Sequence, residues 1–210
     1  MLSTETASYT RTAKFLHWVI GLAILFMLAL GWGMGFVPRE AQTTGLMAAL
    51  FGSGPLKVVL INLHKSTGIV ILLLSLLRII WRVLHKAPPL PAHFSPLERR
   101  VMHAVHGLLY LGMIGLPLTG WALSSTSPYK ITLYGLFPWP NLPLIGNLDA
   151  KDAIHDAMKE SHETGAIILA ALVALHVAAA LKHHFIGKDN SLLSITPRCC
   201  ASFLTRLRRG

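Results

Sequence analysis

Apolar side chains form four long stretches along this chain, separated by polar, proline-rich or glycine-rich connections. The stretches cover about residues 15–37, 58–84, 101–123 and 162–186. Each has at least the roughly 20 residues that an α-helix needs to cross a bilayer core about 30 Å thick. A backbone in lipid must satisfy its own hydrogen bonds, and no alternating strand pattern recurs. Each stretch is therefore predicted to be a transmembrane helix.

Composition narrows the class of protein. The 210 residues are 53% hydrophobic and only 13% charged, with a mean hydropathy of +0.55, which excludes an ordinary soluble globule. The length fits one domain, residues 1–210, and we expect an all-α, integral membrane four-helix bundle. The first stretch is longer than the apolar core of a signal peptide, and no Ala-x-Ala cleavage site follows it. It is predicted to remain as a helix.

The net charge of +10 is compatible with nucleic-acid binding, but its distribution follows membrane topology instead. Basic residues concentrate before the first stretch, around the second connection and after the fourth stretch, whereas acidic residues offset them in the other two connections. Both termini are thus predicted to be cytoplasmic. Residues 188–210 are expected to form a basic cytoplasmic tail near anionic lipid, and no nucleic-acid partner is expected.

The connections differ in character. Residues 85–98 are proline-rich and cannot be helical throughout, and residues 124–161 form the longest connection. The end of that connection, residues 148–161, has helical spacing and mixed charge, which favours a short surface helix before the fourth stretch. Cys199 and Cys200 have no cluster of histidines or cysteines beside them, and we interpret them as incidental.

Histidines carry the candidate chemistry, since ionisable residues in a membrane span indicate function by default. His17 and His64 lie near the starts of the first two helices, and His162 and His176 both lie on the fourth. The interval between the last two brings their imidazoles within about 40° of one helix face and separates them by about 21 Å. One helix therefore presents two ligands at two depths, as two stacked haems require.

The predicted membrane topology indicates which histidines share a haem. His17 is expected to bind an inner haem with His176, and His64 an outer haem with His162, because these residues match in depth. A histidine-lined metal or proton transporter is the alternative from another class. Such a site favours neighbouring carboxylates or thiols, and no Asp, Glu or Cys lies well inside a predicted span.

Several motifs resemble the bacterial cytochrome b561 family of four-helix dihaem membrane proteins, which is related to the cytochrome b subunits of formate dehydrogenases and hydrogenases. The resemblance runs from about residue 9 to residue 197. It rests on RTAKFLHW from Arg11, LHKSTG from Leu63, RIIWR from Arg78, HAVHGLLY from His103, LPLTG from Leu116, HETG from His162 and HVAAALKHHFIGKDN from His176.

The resemblance implies an oxidoreductase of the bacterial inner membrane with two haem b groups on His17, His64, His162 and His176. It implies that superoxide from outside is oxidised to oxygen and that ubiquinone is reduced. His106 and His183 then lie near the inner haem as a quinone site, and imidazole suits proton exchange there. Lys65 places positive charge beside the outer haem, where an anion such as superoxide is attracted.

Alternatives remain open for these secondary residues and for the function. Interfacial anchoring or contact with haem propionates also accounts for His103, His106, His183 and His184. Positive-inside topology is the simpler account of Arg78, Arg82, Arg99 and Arg100, with propionate contact as the other. The alternative function is an electron-relay cytochrome b subunit that serves a partner dehydrogenase or hydrogenase.

Overall fold

A computed structural model describes residues 8–90, 94–143, 145 and 151–209. Nearly all regular structure in this part of the chain is helical. In chain order the elements are α1 (Arg11–Gly33), a 3-10 turn (Met34–Phe36), α2 (Gly45–Phe51), α3 (Leu56–Leu84), α4 (Pro96–Thr126), strands β1 (Thr132–Leu133) and β2 (Phe137–Pro138), α5 (Lys151–Phe185), α6 (Ser191–Ile195) and α7 (Arg198–Arg209).

Among the described residues, four segments are long and apolar enough to cross a membrane, namely Arg11–Phe36, Leu56–Leu84, Pro96–Thr126 and Asp152–Phe185. Large apolar side chains stay exposed along them, including Leu22, Ile80 and Leu111. Water would penalise such a surface, whereas lipid solvates it. The predicted all-α membrane class is thereby confirmed.

Helix α4 begins at Pro96, ahead of the expected start near residue 101, because a capping box precedes it. The backbone N–H of Ser95 donates to Glu98 Oε2 at 2.9 Å, and the backbone N–H of Glu98 donates to Ser95 Oγ at 3.2 Å. Proline suits the first helical turn, where its missing N–H costs no helical hydrogen bond. Local chemistry thus extends the helix beyond its apolar stretch.

Helix α5 is longer than expected, running unbroken from Lys151 to Phe185. The helix expected over residues 148–161 is thus confirmed for residues 151–161, which continue without a break into the fourth span; residues 148–150 lie outside the described residues. Neither proline nor glycine occurs between residues 151 and 164 to interrupt the helix. Its end is defined by Gly187, whose N–H bonds to the carbonyl of Lys182 at 3.0 Å.

The chain divides into two compact units. The first comprises Met1–Gly21, Leu74–Leu111 and Leu169–Gly210, and the second comprises Leu22–Leu73 and Gly112–Ile168. Each unit draws segments from the same four long helices, so the chain passes between the units four times.

In the first unit the predicted basic tail folds into α6 and α7. Trp18 Nε1 donates to the carbonyl of Ile195 at 3.1 Å, and Lys14 Nζ donates to that of Thr196 at 3.0 Å. His184 is fully buried, and its Nε2 lies 3.2 Å from the carbonyl oxygen of Leu204. The tail therefore packs onto α1 and α5.

In the second unit the long connection folds back onto α3 and α4. Strands β1 and β2 pair antiparallel, with Gly135 at φ 77° in the turn between them. The fully buried Ser66 donates to the carbonyl of Thr132 at 3.3 Å and accepts from the N–H of Tyr134 at 2.9 Å. Trp121 Nε1 donates to the carbonyl of Pro140 at 2.9 Å. These bonds hold the hairpin on two helices.

Candidate functional site: two histidine pairs

The first unit brings His17 of α1 next to His176 of α5. Their ring centroids are 6.1 Å apart, and the ring planes are inclined by 73°. Both side chains are half-buried. The two rings thus face each other across a gap within otherwise apolar helices.

A third histidine joins this pair. The ring of His106, on α4, lies 5.2 Å from that of His176 at an interplanar angle of 83°. Its Nδ1 lies 2.7 Å from the carbonyl oxygen of Met102, one turn earlier on the same helix. A carbonyl only accepts, so Nδ1 carries the proton and Nε2 is left for another partner.

The second unit repeats the arrangement with His64 of α3 and His162 of α5. Their centroids are also 6.1 Å apart, and their planes are also inclined by 73°. His162 is oriented by α4: its Nδ1 lies 3.1 Å from both the carbonyl oxygen of Leu116 and the hydroxyl of Thr119. The N–H at Nδ1 donates to that carbonyl, which directs the lone pair of Nε2 away from α4.

Glycines allow the second pair to pack closely against its helices. A Cβ atom at Gly120 would lie 3.0 Å from Cε1 of His162, and one at Gly31 would lie 3.4 Å from Cε1 of His64. At Gly21, one turn from His17, no described atom comes within 4 Å of the same position. The contact at Gly120 is tighter than ordinary van der Waals contact, so the second pair depends on the missing side chain there, whereas Gly31 and Gly21 leave room.

The pairs fit an iron held between two imidazoles. Metal–imidazole bonds of about 2 Å place the two bonded nitrogens about 4 Å apart, with the ring centres further apart again. The observed 6.1 Å between centroids matches that requirement in both units. In addition, Nδ1 of His64 is buried, and no described protein group hydrogen-bonds to it. The residues present therefore suit bis-histidine haem ligation.

The chain is similar in sequence to a known family and to several of its members. The family described as prokaryotic cytochrome b561 matches residues 8–198. The chain belongs to this family. It is 30% identical to cytochrome b561 homolog 2 of Escherichia coli strain K12, over 84% of each chain. It is 29% identical to a probable superoxide oxidase CybB of Yersinia pestis, over 87% of this chain and 92% of that one.

A further relative is cytochrome b561 homolog 1 of Escherichia coli strain K12, 28% identical over 90% of this chain and 97% of that one. Family membership makes the protein a multi-pass bacterial membrane cytochrome that binds haem b and transfers electrons. The paired histidines are the residues of this cytochrome b561 that suit the cofactor.

Two arginines of the first unit act on the histidines there, and Arg78 acts on the most of them. It interacts electrostatically with His17, His106 and His176. Its Nε donates to the hydroxyl of Tyr110 at 3.4 Å, and its guanidinium lies 5.8 Å from the centre of that ring. Of these three histidines, Arg82 acts electrostatically on His106 alone, and its guanidinium lies over the ring of Tyr9. A fixed positive charge next to the first pair is available to a carboxylate.

Lys65 directly follows His64 but is partly engaged in holding the connection. Its Nζ donates to the carbonyl of Tyr129 at 3.1 Å. This bond uses one of the three ammonium donors and leaves the charge in place. Its place on α3, one residue after His64, keeps this charge close to the second pair.

His183 lies at the end of α5, in the first unit, and pairs with a carboxylate. Its Nδ1 is 3.0 Å from Oδ2 of Asp189, and its ring packs 4.8 Å from that of Phe94. His184 differs, since it is fully buried against the tail. Two adjacent histidines thus have separate roles.

Sequence reasoning assigned no role to four residues that shape these sites, Gly31, Thr119, Gly120 and Asp189. Thr119 and Gly120 end the LPLTG motif, and Asp189 lies in the HHFIGKDN segment, so the resemblance contained both signals. The resemblance did not show which group each of these residues contacts. Only packing places α4 against His162 and the turn after α5 against His183.

Proposed function

We propose that this cytochrome b561 binds two haem b groups, one between His17 and His176 and the other between His64 and His162. It lies in the bacterial inner membrane with both termini in the cytoplasm, which makes the first pair inner and the second outer. It oxidises superoxide at the outer side and reduces ubiquinone at the inner side. The observation that carries this proposal is the same 6.1 Å, 73° arrangement in both pairs.

When bound, haem supplies reversible one-electron oxidation and reduction. Ordinary side chains cannot accept single electrons from superoxide or pass them to quinone in this way. The overall reaction balances as two superoxide anions plus ubiquinone and two protons giving two molecules of oxygen and ubiquinol. The chain's own residues hold the ligands, set their burial and supply protons.

At the outer pair, Thr119 and the carbonyl of Leu116 orient His162, while Gly31 and Gly120 let the rings approach their helices. Fixing the ligand from behind strengthens its hold on iron. The charge of Lys65 favours an anionic donor over a neutral one. The relative named probable superoxide oxidase supports superoxide as that donor.

At the inner pair, ionisable groups surround the ligands in a way that suits quinone chemistry. His106 keeps Nε2 available, and Arg78 would hold a haem propionate through its positive charge. His183 is the second candidate for the quinone site. Quinone reduction consumes protons, and imidazole exchanges them near neutral pH.

The test is to purify the chain alone, supply superoxide and follow the reduction of a soluble ubiquinone analogue. We expect quinol to form in proportion to the superoxide consumed, in a reaction suppressed by superoxide dismutase. Variants that lack one histidine of either pair should lose this superoxide-dependent quinone reduction. A haem-loaded chain that accepts electrons from dithionite but not from superoxide would favour the relay subunit of a partner dehydrogenase instead.

A further inference from the structure

A buried carboxylate stands directly behind His183. Asp189 lies in the turn between α5 and α6, with Oδ2 at 3.0 Å from Nδ1 of His183. The Asp189 side chain is 3% exposed, whereas that of His183 is 23% exposed. A carboxylate only accepts hydrogen bonds, so the proton sits on Nδ1, and Nε2 is the nitrogen left to meet another molecule.

The backbone holds this carboxylate rigidly. Its Oδ1 accepts from the N–H of Ser191 at 2.8 Å, and the N–H of Asp189 donates to the carbonyl of His183 at 3.1 Å. Arg208 of α7 donates to the carbonyl of Asp189 at 2.9 Å. Burial raises the pKa of Asp189, but the hydrogen bonds from Ser191 and the nearby His183 outweigh it and hold that pKa below its usual value. Asp189 is therefore anionic at neutral pH.

Other charged groups face His183 as well. Glu98, at the start of α4, interacts electrostatically with both His183 and Lys182. Arg99 donates to the carbonyl of Phe94, whose ring covers His183. These charges are mixed in sign and lie at the surface, where solvent screens them. The carboxylate of Asp189, hydrogen-bonded and buried, is the charge that is fixed against the ring.

His106 offers an internal contrast. Its Nδ1 donates to a backbone carbonyl, which orients the ring but carries no charge. Asp189 orients His183 in the same way, with a buried carboxylate in place of a neutral carbonyl. Of the two histidines, His183 is thus the one that a carboxylate, rather than a neutral carbonyl, holds in place.

Building on the quinone reduction proposed above, we propose that Asp189 is a positioning residue that makes His183 the proton donor to the reduced quinone. Ubiquinone receives two electrons, derived from two superoxide anions, and two protons. His183 delivers one of those protons: its Nε2–H bond breaks, an O–H bond forms at a quinone oxygen, and water then reprotonates the imidazole. Asp189 keeps its charge throughout and sets the tautomer.

The experiment isolates the quinone half of the reaction. Purified holoprotein is chemically reduced and mixed with decylubiquinone, and haem reoxidation is followed against quinone concentration between about pH 6 and pH 9, across the range in which an imidazole titrates. The variants are Asp189→Asn, Asp189→Glu and His183→Gln. Asp156→Asn, an exposed carboxylate on α5, is the matched control. Haem content, absorption spectrum and melting temperature are measured for each.

We expect Asp189→Asn to slow reoxidation at neutral pH about tenfold, less than the roughly hundredfold or more that a general acid contributes, because the His183 imidazole itself remains. The pH profile of this variant should change, because an amide can donate as well as accept and so no longer fixes the tautomer of His183. The KM for quinone should change little. Asp189→Glu should recover part of the rate, His183→Gln should abolish the pH-dependent limb, and Asp156→Asn should match the wild type, all with unchanged haem spectra.

An Asp189 that serves only as a helix cap predicts a different result, namely a lower melting temperature with the wild-type pH profile, and that result overturns the inference. If Asp189→Asn does not fold, His183→Gln decides, since a wild-type profile there also overturns it. Failure of the proposed function is distinguishable, because reduced wild-type protein would then not be reoxidised by quinone at any pH.

Discussion

The two histidine pairs share one geometry but lie in different surroundings. In both units the rings are 6.1 Å apart and inclined by 73°. Around His64 and His162 the structure supplies glycines, a threonine hydroxyl and a backbone carbonyl. Around His17 and His176 it supplies a third histidine and an arginine.

The difference between these surroundings separates two requirements of an electron-transferring site, namely holding iron and exchanging protons. Holding iron requires only a pair of facing imidazoles, and both units provide one. The groups around each pair suit the reaction expected there. Superoxide releases no proton when it is oxidised, so the site that accepts its electron needs only firmly held ligands. Quinone takes up protons when it is reduced, so its site also needs groups that exchange protons. Substitutions at the two pairs should therefore act independently of one another and differ in kind.

The largest effect should follow from removing one ligand. His162→Ala should lose the haem of the second unit and retain that of the first, halving haem per chain, and His176→Ala should do the reverse. In both variants superoxide-dependent quinone reduction should disappear. Haem content by extraction and the visible spectrum measure this, and loss of both haems from each variant would contradict independent pairs.

A smaller steric change should affect the second pair alone. A Cβ at Gly120 meets the ring of His162 at 3.0 Å, so Gly120→Ala should displace the imidazole at a cost of about 1–3 kcal/mol and lower haem occupancy there. Alanine favours helix over glycine, so helix propensity cannot cause a loss. Gly33→Ala on α1, where no described atom lies within 4 Å, is the control. Equal haem content in both variants would show that this close contact is unimportant.

Removing the hydroxyl that orients His162 should have a subtler effect. Thr119→Val deletes one of the two groups that contact Nδ1 and leaves the carbonyl of Leu116. We expect haem affinity at the second pair to weaken about tenfold, with a shifted electron paramagnetic resonance signal for that haem alone. Thr126→Val is matched, because its hydroxyl contacts His155, which belongs to neither pair. A change in the signal of the first haem would argue against separate surroundings.

The smallest effect concerns charge. Lys65→Gln should lower the rate with superoxide about twofold to threefold at low ionic strength, and added salt should erase the difference, because screening removes the attraction. Lys57→Gln on the same helix controls for the loss of one lysine. If the loss persists at high salt, the bond from Lys65 to Tyr129 matters more than its charge.

Several boundaries could have been predicted more closely from the sequence. The Ser95–Glu98 capping box and Pro96 define the start of α4, and the absence of proline or glycine between residues 151 and 164 makes α5 continuous. These signals are local, since a cap involves residues three apart. The contacts of the tail and of the hairpin join residues far apart in the chain and leave no such local mark.

The sequence by itself determined the four spans, the all-α class and the four candidate ligands, because hydrophobic length and the high cost of placing an ionisable group in lipid act residue by residue. Only the tertiary structure decided which atoms stand behind those ligands: Thr119 and Gly120 at His162, and Asp189 at His183. The physical reason is that hydrogen bonds and close packing depend on distances between helices, which no periodicity within one helix specifies.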